Sequence, residues 1–329
     1  MLTGMLSKAL HPGLLPWLTR LNHLIEEQRR KGIEATPAMV RDSLAGMTDT
    51  LVTDSPDIAD VRDLLVDADG HTITARAYDP APGQRKPVCL FFHGGGHMAG
   101  SVQVYDPICR KLARASGHLL LSVEYRLTPE HPYPAGLEDC LAVTRGLYPL
   151  LSREGYPVQR SLTLAGDSGG GALAATLSAL LQDDEAHRPQ RQVLIYPSLD
   201  YTLEQPSLQE NSHGYLLETA RIEWYVDHYF QHGEDRRAHS PLYMPMGTGM
   251  PETLMITAGL CPLRDEGLRY LDRLSEAGIP HQHVHFPDMI HAYLNLEDLV
   301  PEACAETYRC IGEFLGRARR LNNTPSSRA

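Results

Sequence analysis

The sequence predicts an α/β protein, a mostly parallel eight-stranded sheet flanked by helices. Three observations carry this. From residue 87 onward, short apolar runs alternate with longer segments of helical period, and strand–helix alternation with right-handed crossovers makes neighbouring strands parallel. Ahead of them, 61–66 and 72–78 alternate apolar and polar residues around Asp67-Ala68-Asp69-Gly70, which reads as a β-hairpin and adds an antiparallel edge. The chain's 329 residues suffice for one large domain of this kind.

Taken in order, residues 1–50 read as helical. Leu14, Leu15, Leu18 and Leu21, with Trp17, recur at helical spacing, so one face is apolar. The polar face lacks the dense Lys/Arg pattern of a helix lying on a membrane, so this segment packs on the body. A Pro/Gly loop over 80–87 follows the hairpin. Strands are then expected at 87–92, 118–124, 161–165, 191–196, 253–258 and 281–286, with helices near 104–117, 135–152, 169–182, 263–278 and 300–318. Between 201 and 250 the alternation breaks. Trp224, Tyr225, Tyr229 and Phe230 fall on one helix, followed by Pro241, Pro245, Gly247 and Gly249, as expected of an insertion over the strand ends. The organisation is therefore an N-terminal helical cap segment (1–50), a body (51–200 and 251–321), a cap insertion (201–250) and a flexible tail (322–329). The aromatic residues of the insertion either line a pocket or glue the cap to the body.

The formal net charge of −11, with no basic stripe, argues against a nucleic-acid partner. Six cysteines, at 89, 109, 140, 261, 304 and 310, show no metal-type pairing. Cys89 lies inside an expected core strand, which suits a reducing compartment. No signal pattern is visible in 1–21 and no apolar run approaches membrane-spanning length, so a cytoplasmic protein without a membrane partner is expected.

The chemistry centres on Ser161-Leu162-Thr163-Leu164-Ala165-Gly166-Asp167-Ser168-Gly169-Gly170-Gly171-Ala172-Leu173: an apolar strand, a G-x-S-x-G turn and a helix start. That context puts a serine hydroxyl on a strained strand-to-helix elbow above the sheet. The glycines clear side chains from the close approach, and amides at the helix N-terminus favour a developing oxyanion. A second cluster, His93-Gly94-Gly95-Gly96, follows the run Val88-Cys89-Leu90-Phe91-Phe92 and forms the other half of an oxyanion hole. A serine of this type needs a base, and the base needs a third group to fix its tautomer. Of the 16 histidines, His291 follows the last expected strand and precedes the C-terminal helix, which places it at the carboxyl ends of the strands.

With these residues in place the sequence resembles the hormone-sensitive-lipase-like family of α/β-hydrolase esterases. The resemblance is carried by His93-Gly94-Gly95-Gly96, by Val123-Glu124-Tyr125-Arg126-Leu127-Thr128-Pro129-Glu130-His131, by Gly166-Asp167-Ser168-Gly169-Gly170 and by Pro262-Leu263-Arg264-Asp265-Glu266-Gly267, in register from about residue 60 to the C-terminus. It implies a capped α/β-hydrolase fold that cleaves short-chain carboxylic esters without metal or organic cofactor; with no lipid-interface segment evident, acetyl-to-octanoyl substrates fit better than triglycerides. It implies Ser168 as nucleophile, His291 as base, and the amides of Gly95, Gly96 and Gly169 as oxyanion donors. It also implies a homodimer through the last strand, 281–286.

One departure matters. The family places its triad acid at the first position of an Asp-Pro-Leu-x-Asp-Glu-Gly run, and here that position is Cys261. A thiol of ordinary pKa near ~8.5 is neutral at pH 7 and cannot offset an imidazolium. Asp265, one helical turn on, is the first choice as replacement, with Asp200 and Asp288 as alternatives. Cys261 itself reads as an inert small residue, or as a thiolate if His291 is near. His281, His283 and His285 share one strand face, more in keeping with a solvated or dimer surface than with zinc. His97 reads as a pocket-mouth residue that polarises an ester or as a surface loop residue, and Tyr225 as part of the substrate pocket. Asp167 reads as structural, holding the elbow. The leading expectation is a serine carboxylesterase. The alternative is a weak or inactive ligand-binding protein on a degraded hydrolase site.

Overall fold

A computed structural model describes residues 10–322, with side chains to residue 316. Helices α1 (Leu15–Arg30) and α2 (Pro37–Leu51) precede a hairpin of β1 (Asp60–Ala68) and β2 (His71–Asp79). The α/β body then runs β3 (Lys86–Phe92), α3 (Asp106–Ser116), β4 (Leu119–Val123), α4 (Ala135–Arg153), β5 (Val158–Asp167), α5 (Ser168–Leu181) and β6 (Arg191–Ile195). An excursion holds α6 (Ser207–Glu210), α7 (Thr219–Tyr229) and α8 (Arg236–His239). The chain returns through β7 (Glu252–Leu260), α9 (Arg264–Glu276), β8 (His281–Ile290) and α10 (Pro301–Asn322). The expected tail therefore lies outside the described residues apart from Asn322, as do residues 1–9 of the N-terminal segment.

The eight strands form one sheet in the order β1-β2-β4-β3-β5-β6-β7-β8. All pairs from β4 to β8 are parallel, and β1–β2 and β2–β4 are antiparallel. The hairpin is tighter than expected. Ala68 pairs with His71, so the turn is Asp69-Gly70 alone, with Gly70 at φ 82° where an L side chain is strained. Along β3 the faces alternate. Cys89 and Phe91 join one core cluster with Ile108, Leu112 and Phe314, and Val88, Leu90 and Phe92 join the other with Leu147, Leu177 and Leu274. A strand buried on both faces reads as a continuous apolar run, as β3 does. Each such Leu or Phe contributes about 1.5–3 kcal/mol.

β8 is four residues longer than expected. Pro287 cannot donate to the ladder, and the strand slips past it by a register shift between Ala258 and Leu260. Gly259 permits this, since a Cβ there would lie 2.2 Å from the Pro287 carbonyl oxygen. Leu260 then pairs with Ile290, so His291 leaves directly from the strand end.

Candidate active site

Ser168 is the first residue of α5, immediately after β5, with φ 52°. The glycines beside it are sterically required. A Cβ on Gly166 would lie 2.3 Å from the Gly170 carbonyl oxygen, and one on Gly170 would lie 1.9 Å from that of Phe92. The elbow thus presses against the end of β3, where the second glycine turn begins. A Cβ on Gly169 would sit 3.4 Å from the Gly96 amide nitrogen, so the two turns meet.

Among the described residues, the N–H groups of Gly95, Gly96 and Gly169 have no internal acceptor, and neither does that of His97. Gly95 and Gly96 have φ of 117° and 63°, which aims successive amides into one concavity. His93 and Gly94 do not join them. The Gly94 N–H donates to Asp167 Oδ1 at 2.7 Å. The His93 ring turns back to its own loop, Nδ1 2.9 Å from the Gly94 carbonyl oxygen and stacked on Tyr125 at 4.4 Å. These two residues of the expected hole instead brace it, and burial holds the His93 imidazole down to about 4. The Asp167 side chain holds this second loop and makes no capping bond to the elbow's helix. Its other oxygen accepts from Tyr105 OH at 3.0 Å, and burial pushes its carboxyl up to about 7.

His291 completes the centre. Its Nε2 lies 2.8 Å from Ser168 Oγ and its Nδ1 lies 3.1 Å from Cys261 Sγ. The sulfur also accepts the Leu263 N–H at 3.3 Å. Burial pushes the His291 imidazole down to about 3, and burial, outweighing the Leu263 hydrogen bond, pushes the Cys261 thiol up, so the line Ser168–His291–Cys261 is neutral throughout.

Asp265, the first choice as acid, does not reach His291. Helix α9 begins at Arg264 and swings residue 265 toward α6. There Oδ2 accepts the Ser207 N–H at 2.9 Å and Oδ1 accepts Arg264 Nε at 2.7 Å. Asp200 is likewise engaged elsewhere, accepting from Thr202 Oγ1 at 2.6 Å and Tyr243 OH at 3.0 Å. Asp288 lies on β8, and no hydrogen bond joins it to His291. Glu266, not singled out from sequence, is 1 % exposed and accepts the Leu199 and Asp200 amides, both at 3.0 Å. It thereby holds the loop whose Ser198 N–H donates to the Ser168 carbonyl at 3.0 Å. Only the Asp-Glu-Gly stretch of the motif pointed to it.

A cavity of about 640 Å³ opens above Ser168 and His291. Leu21 and Ile25 of α1, Leu44 and Met47 of α2, and Ile222 and Val226 of α7 form apolar walls, so the N-terminal helices and the excursion cover the strand ends together. Tyr225 lies over the glycine turn, where a Cβ on Gly96 would come within 2.7 Å of its ring. His97 is an interior wall residue, not a surface one. It is 5 % exposed, stacked on Tyr229 at 3.9 Å, with Nε2 3.0 Å from Tyr201 OH. Arg41 ties α2 to this wall, donating to the carbonyls of Met98 (2.9 Å) and Thr128 (2.8 Å) and pairing with Glu130.

The three strand histidines diverge. His283 and His285 both meet the Thr257 hydroxyl at 2.8 Å, while His281 turns to the Ile279 carbonyl at 2.9 Å. Among the described residues no group of three or more His, Cys, Asp or Glu is placed to hold a metal ion.

Residues 89–295 match the family model described as alpha/beta hydrolase fold. The chain is 33% identical over 289 residues to an ethyl acetate hydrolase of Pseudomonas putida, covering 85% of this chain and 87% of that protein. It is 35% identical over 261 residues to the esterase LipI of Mycobacterium tuberculosis, covering 76% of this chain and 79% of that one. The chain belongs to the hormone-sensitive-lipase-like family of α/β-hydrolases. Among solved structures, an α/β hydrolase enzyme from the metagenome of Lake Arreo superimposes with a TM-score of 0.85 at 31% identity, over 95% of this chain and 100% of that one. A hyperthermophilic esterase from Pyrobaculum calidifontis does so with a TM-score of 0.81 at 32% identity, over 90% and 98%. By family this hydrolase is a carboxylic ester hydrolase. Among its described residues no helix is long and apolar enough to cross a membrane.

Proposed function

We propose that this hydrolase cleaves acetyl-to-octanoyl carboxylic esters through an acyl-enzyme on Ser168, with His291 as base and a neutral thiol, Cys261, where a triad acid would stand. The observation that carries the reading is the 2.8 Å contact of His291 Nε2 with Ser168 Oγ beside three amides that have no acceptor. Ser168 Oγ attacks the ester carbonyl while Nε2 takes its proton. The amides of Gly95, Gly96 and Gly169 hold the tetrahedral oxyanion. The imidazolium then protonates the leaving alcohol, and water, deprotonated by the same nitrogen, releases the acid. The apolar walls of the cavity suit a hydrocarbon acyl arm, and His97 and Tyr225 line the same cavity.

Cys261 makes this a weakened triad. A neutral sulfur accepts the Nδ1–H in the productive tautomer, but its S–H can donate to Nδ1 in the other, which puts the proton on Nε2 and blocks the base. A carboxylate forbids the second arrangement, and a thiol does not. Loss of the acid's function through the wrong tautomer costs up to roughly ten-thousand-fold in rate. That gives the second reading, a ligand-binding protein that hydrolyses little, a specific footing. A burst assay with p-nitrophenyl acetate and butyrate separates the two. Wild type should release nitrophenol well above the Ser168→Ala chain, and equal traces would leave only the binding reading.

Two further parts of the reading concern assembly and setting. β8 is a sheet edge, so a second copy can pair with it, and sedimentation of the full chain should show a dimer. All six cysteines are free, which suits the cytoplasm.

A further inference from the structure

An imidazole that passes a proton between two oxygens must keep its plane and its Nε2 in place through the whole cycle. Neither of its hydrogen-bond partners here enforces this strongly, since Ser168 and Cys261 are both neutral and a thiol bonds weakly. A third contact comes from Tyr196, the residue after β6. Its ring centroid lies 4.9 Å from that of His291 with the planes at 63°, edge against face. Tyr196 is itself locked. It is 1 % exposed, its N–H donates to the Ile256 carbonyl at 2.7 Å, and its ring meets Tyr293 at 5.5 Å and 69°.

Two features are unusual for a residue that only fills space. Its backbone sits at φ 34°, a conformation that bulky residues avoid and that persists where the surroundings over-determine it, often at functional sites. Its buried hydroxyl has no hydrogen-bond partner among the described residues, so the ring and not the hydroxyl accounts for its place.

We propose that Tyr196 is a positioning residue for His291, its ring holding the imidazole plane where a carboxylate would otherwise hold it. The proposal rests on Ser168 and His291 being nucleophile and base. It differs from a plain packing role in one respect: the need for the ring depends on what stands at residue 261. With the thiol, losing the ring frees the imidazole to turn away from Oγ. With a carboxylate, a charge-assisted bond to Nδ1–H anchors the imidazole by itself, and the ring matters less.

The test measures kcat, KM and Tm for Tyr196→Leu, Tyr196→Met and Tyr196→Phe, each in the native chain and in the Cys261→Asp chain, with p-nitrophenyl butyrate. In the native chain, Leu and Met should lower kcat about tenfold or more with KM changed less than about twofold, and Phe should stay within about twofold. In the Cys261→Asp chain the loss with Leu or Met should shrink to about threefold or less. Equal proportional losses in the two backgrounds would overturn the proposal, as would a native kcat in Tyr196→Leu. Met, whose unbranched chain can fill the gap without a ring, serves if Leu prevents folding. A Ser168→Ala chain as active as wild type would instead overturn the reading of the site itself, whatever Tyr196 does.

Discussion

Replacing Cys261 by Asp asks how much rate the thiol withholds. The sulfur is fully buried, 3.1 Å from His291 Nδ1 and 3.3 Å from the Leu263 amide. A carboxylate placed there would accept both N–H groups, so its charge enters a site with two donors already aimed at it. A neutral hydrogen bond is worth about 0.5–1.5 kcal/mol and one to a charged group about 1.5–3, so the transition-state imidazolium gains about 1–2 kcal/mol from the stronger bond. Exclusion of the wrong tautomer adds to this, and the sum is capped by the roughly ten-thousand-fold loss seen when a triad acid is neutralised. Burying the new charge offsets part of the gain. The net expectation is a rise in kcat of about 10- to 100-fold at pH 7.5 with KM little changed. The pH profile should move as well. His291 is held down to about 3 by burial with no anion beside it, so the native kcat/KM should show no imidazole inflection between pH 5 and 8. A carboxylate favours the imidazolium and raises that pKa, so an acid limb should shift upward toward neutral pH in the Asp chain. The assay is steady-state hydrolysis of p-nitrophenyl butyrate from pH 4.5 to 9, with Tm as the control for folding. An Asp chain of native Tm and unchanged or lower kcat would refute the reasoning, because the thiol would then not be the limiting part.

Three further outcomes are expected. Ser168→Ala should abolish the burst of nitrophenol while keeping the native Tm; a surviving burst would place the nucleophile elsewhere. Asp167, pushed up to about 7 from an unfolded value near 3.8, binds its proton more tightly when folded. Its contribution to stability is therefore full below about pH 4 and lost as the pH rises through 7. Asp167→Asn, neutral and of the same shape, should lose less stability between pH 5 and 8 in urea unfolding than wild type does, and identical pH slopes would contradict this. Arg41→Met removes three ties between α2 and the loops after β3 and β4. It should lower kcat/KM about tenfold while costing only about 1–3 kcal/mol of stability, since its ion pair with Glu130 is solvent-exposed. Activity at the native level in that chain would show that the glycine loop after β3 keeps its shape without these ties to α2.

Much of the fold could be read in advance because its signals are local. The apolar run of β3 and the helical spacing after Ser168 need no tertiary information to be recognised, since the strand is buried on both faces and nearly every residue of the helix is buried. The errors lie where partners from distant parts of the chain decide. The sequence pattern ends β8 at 286, but a register slip opposite Gly259 carries it through Pro287 to Ile290. The glycine pattern groups Gly94 with the oxyanion residues because it cannot show that Asp167, 73 residues away, takes its N–H. Between its two sequence readings, pocket residue or surface loop, His97 is placed on the cavity wall by Tyr201 and Tyr229, which enclose it.

What the sequence determined by itself is the strand-to-helix turn at Ser168, the glycine loop after β3 and the family they mark. Each is a backbone conformation that only particular residues tolerate, and so it is written in consecutive letters. What only the tertiary structure decided is which group stands behind His291. The reach of a carboxylate depends on the direction in which α9 leaves β7, and that direction takes Asp265 to Ser207 and leaves the Cys261 thiol against the imidazole. The cavity above Ser168 and the ring of Tyr196 beside His291 were likewise beyond the sequence, because both arise where segments far apart in the chain pack together.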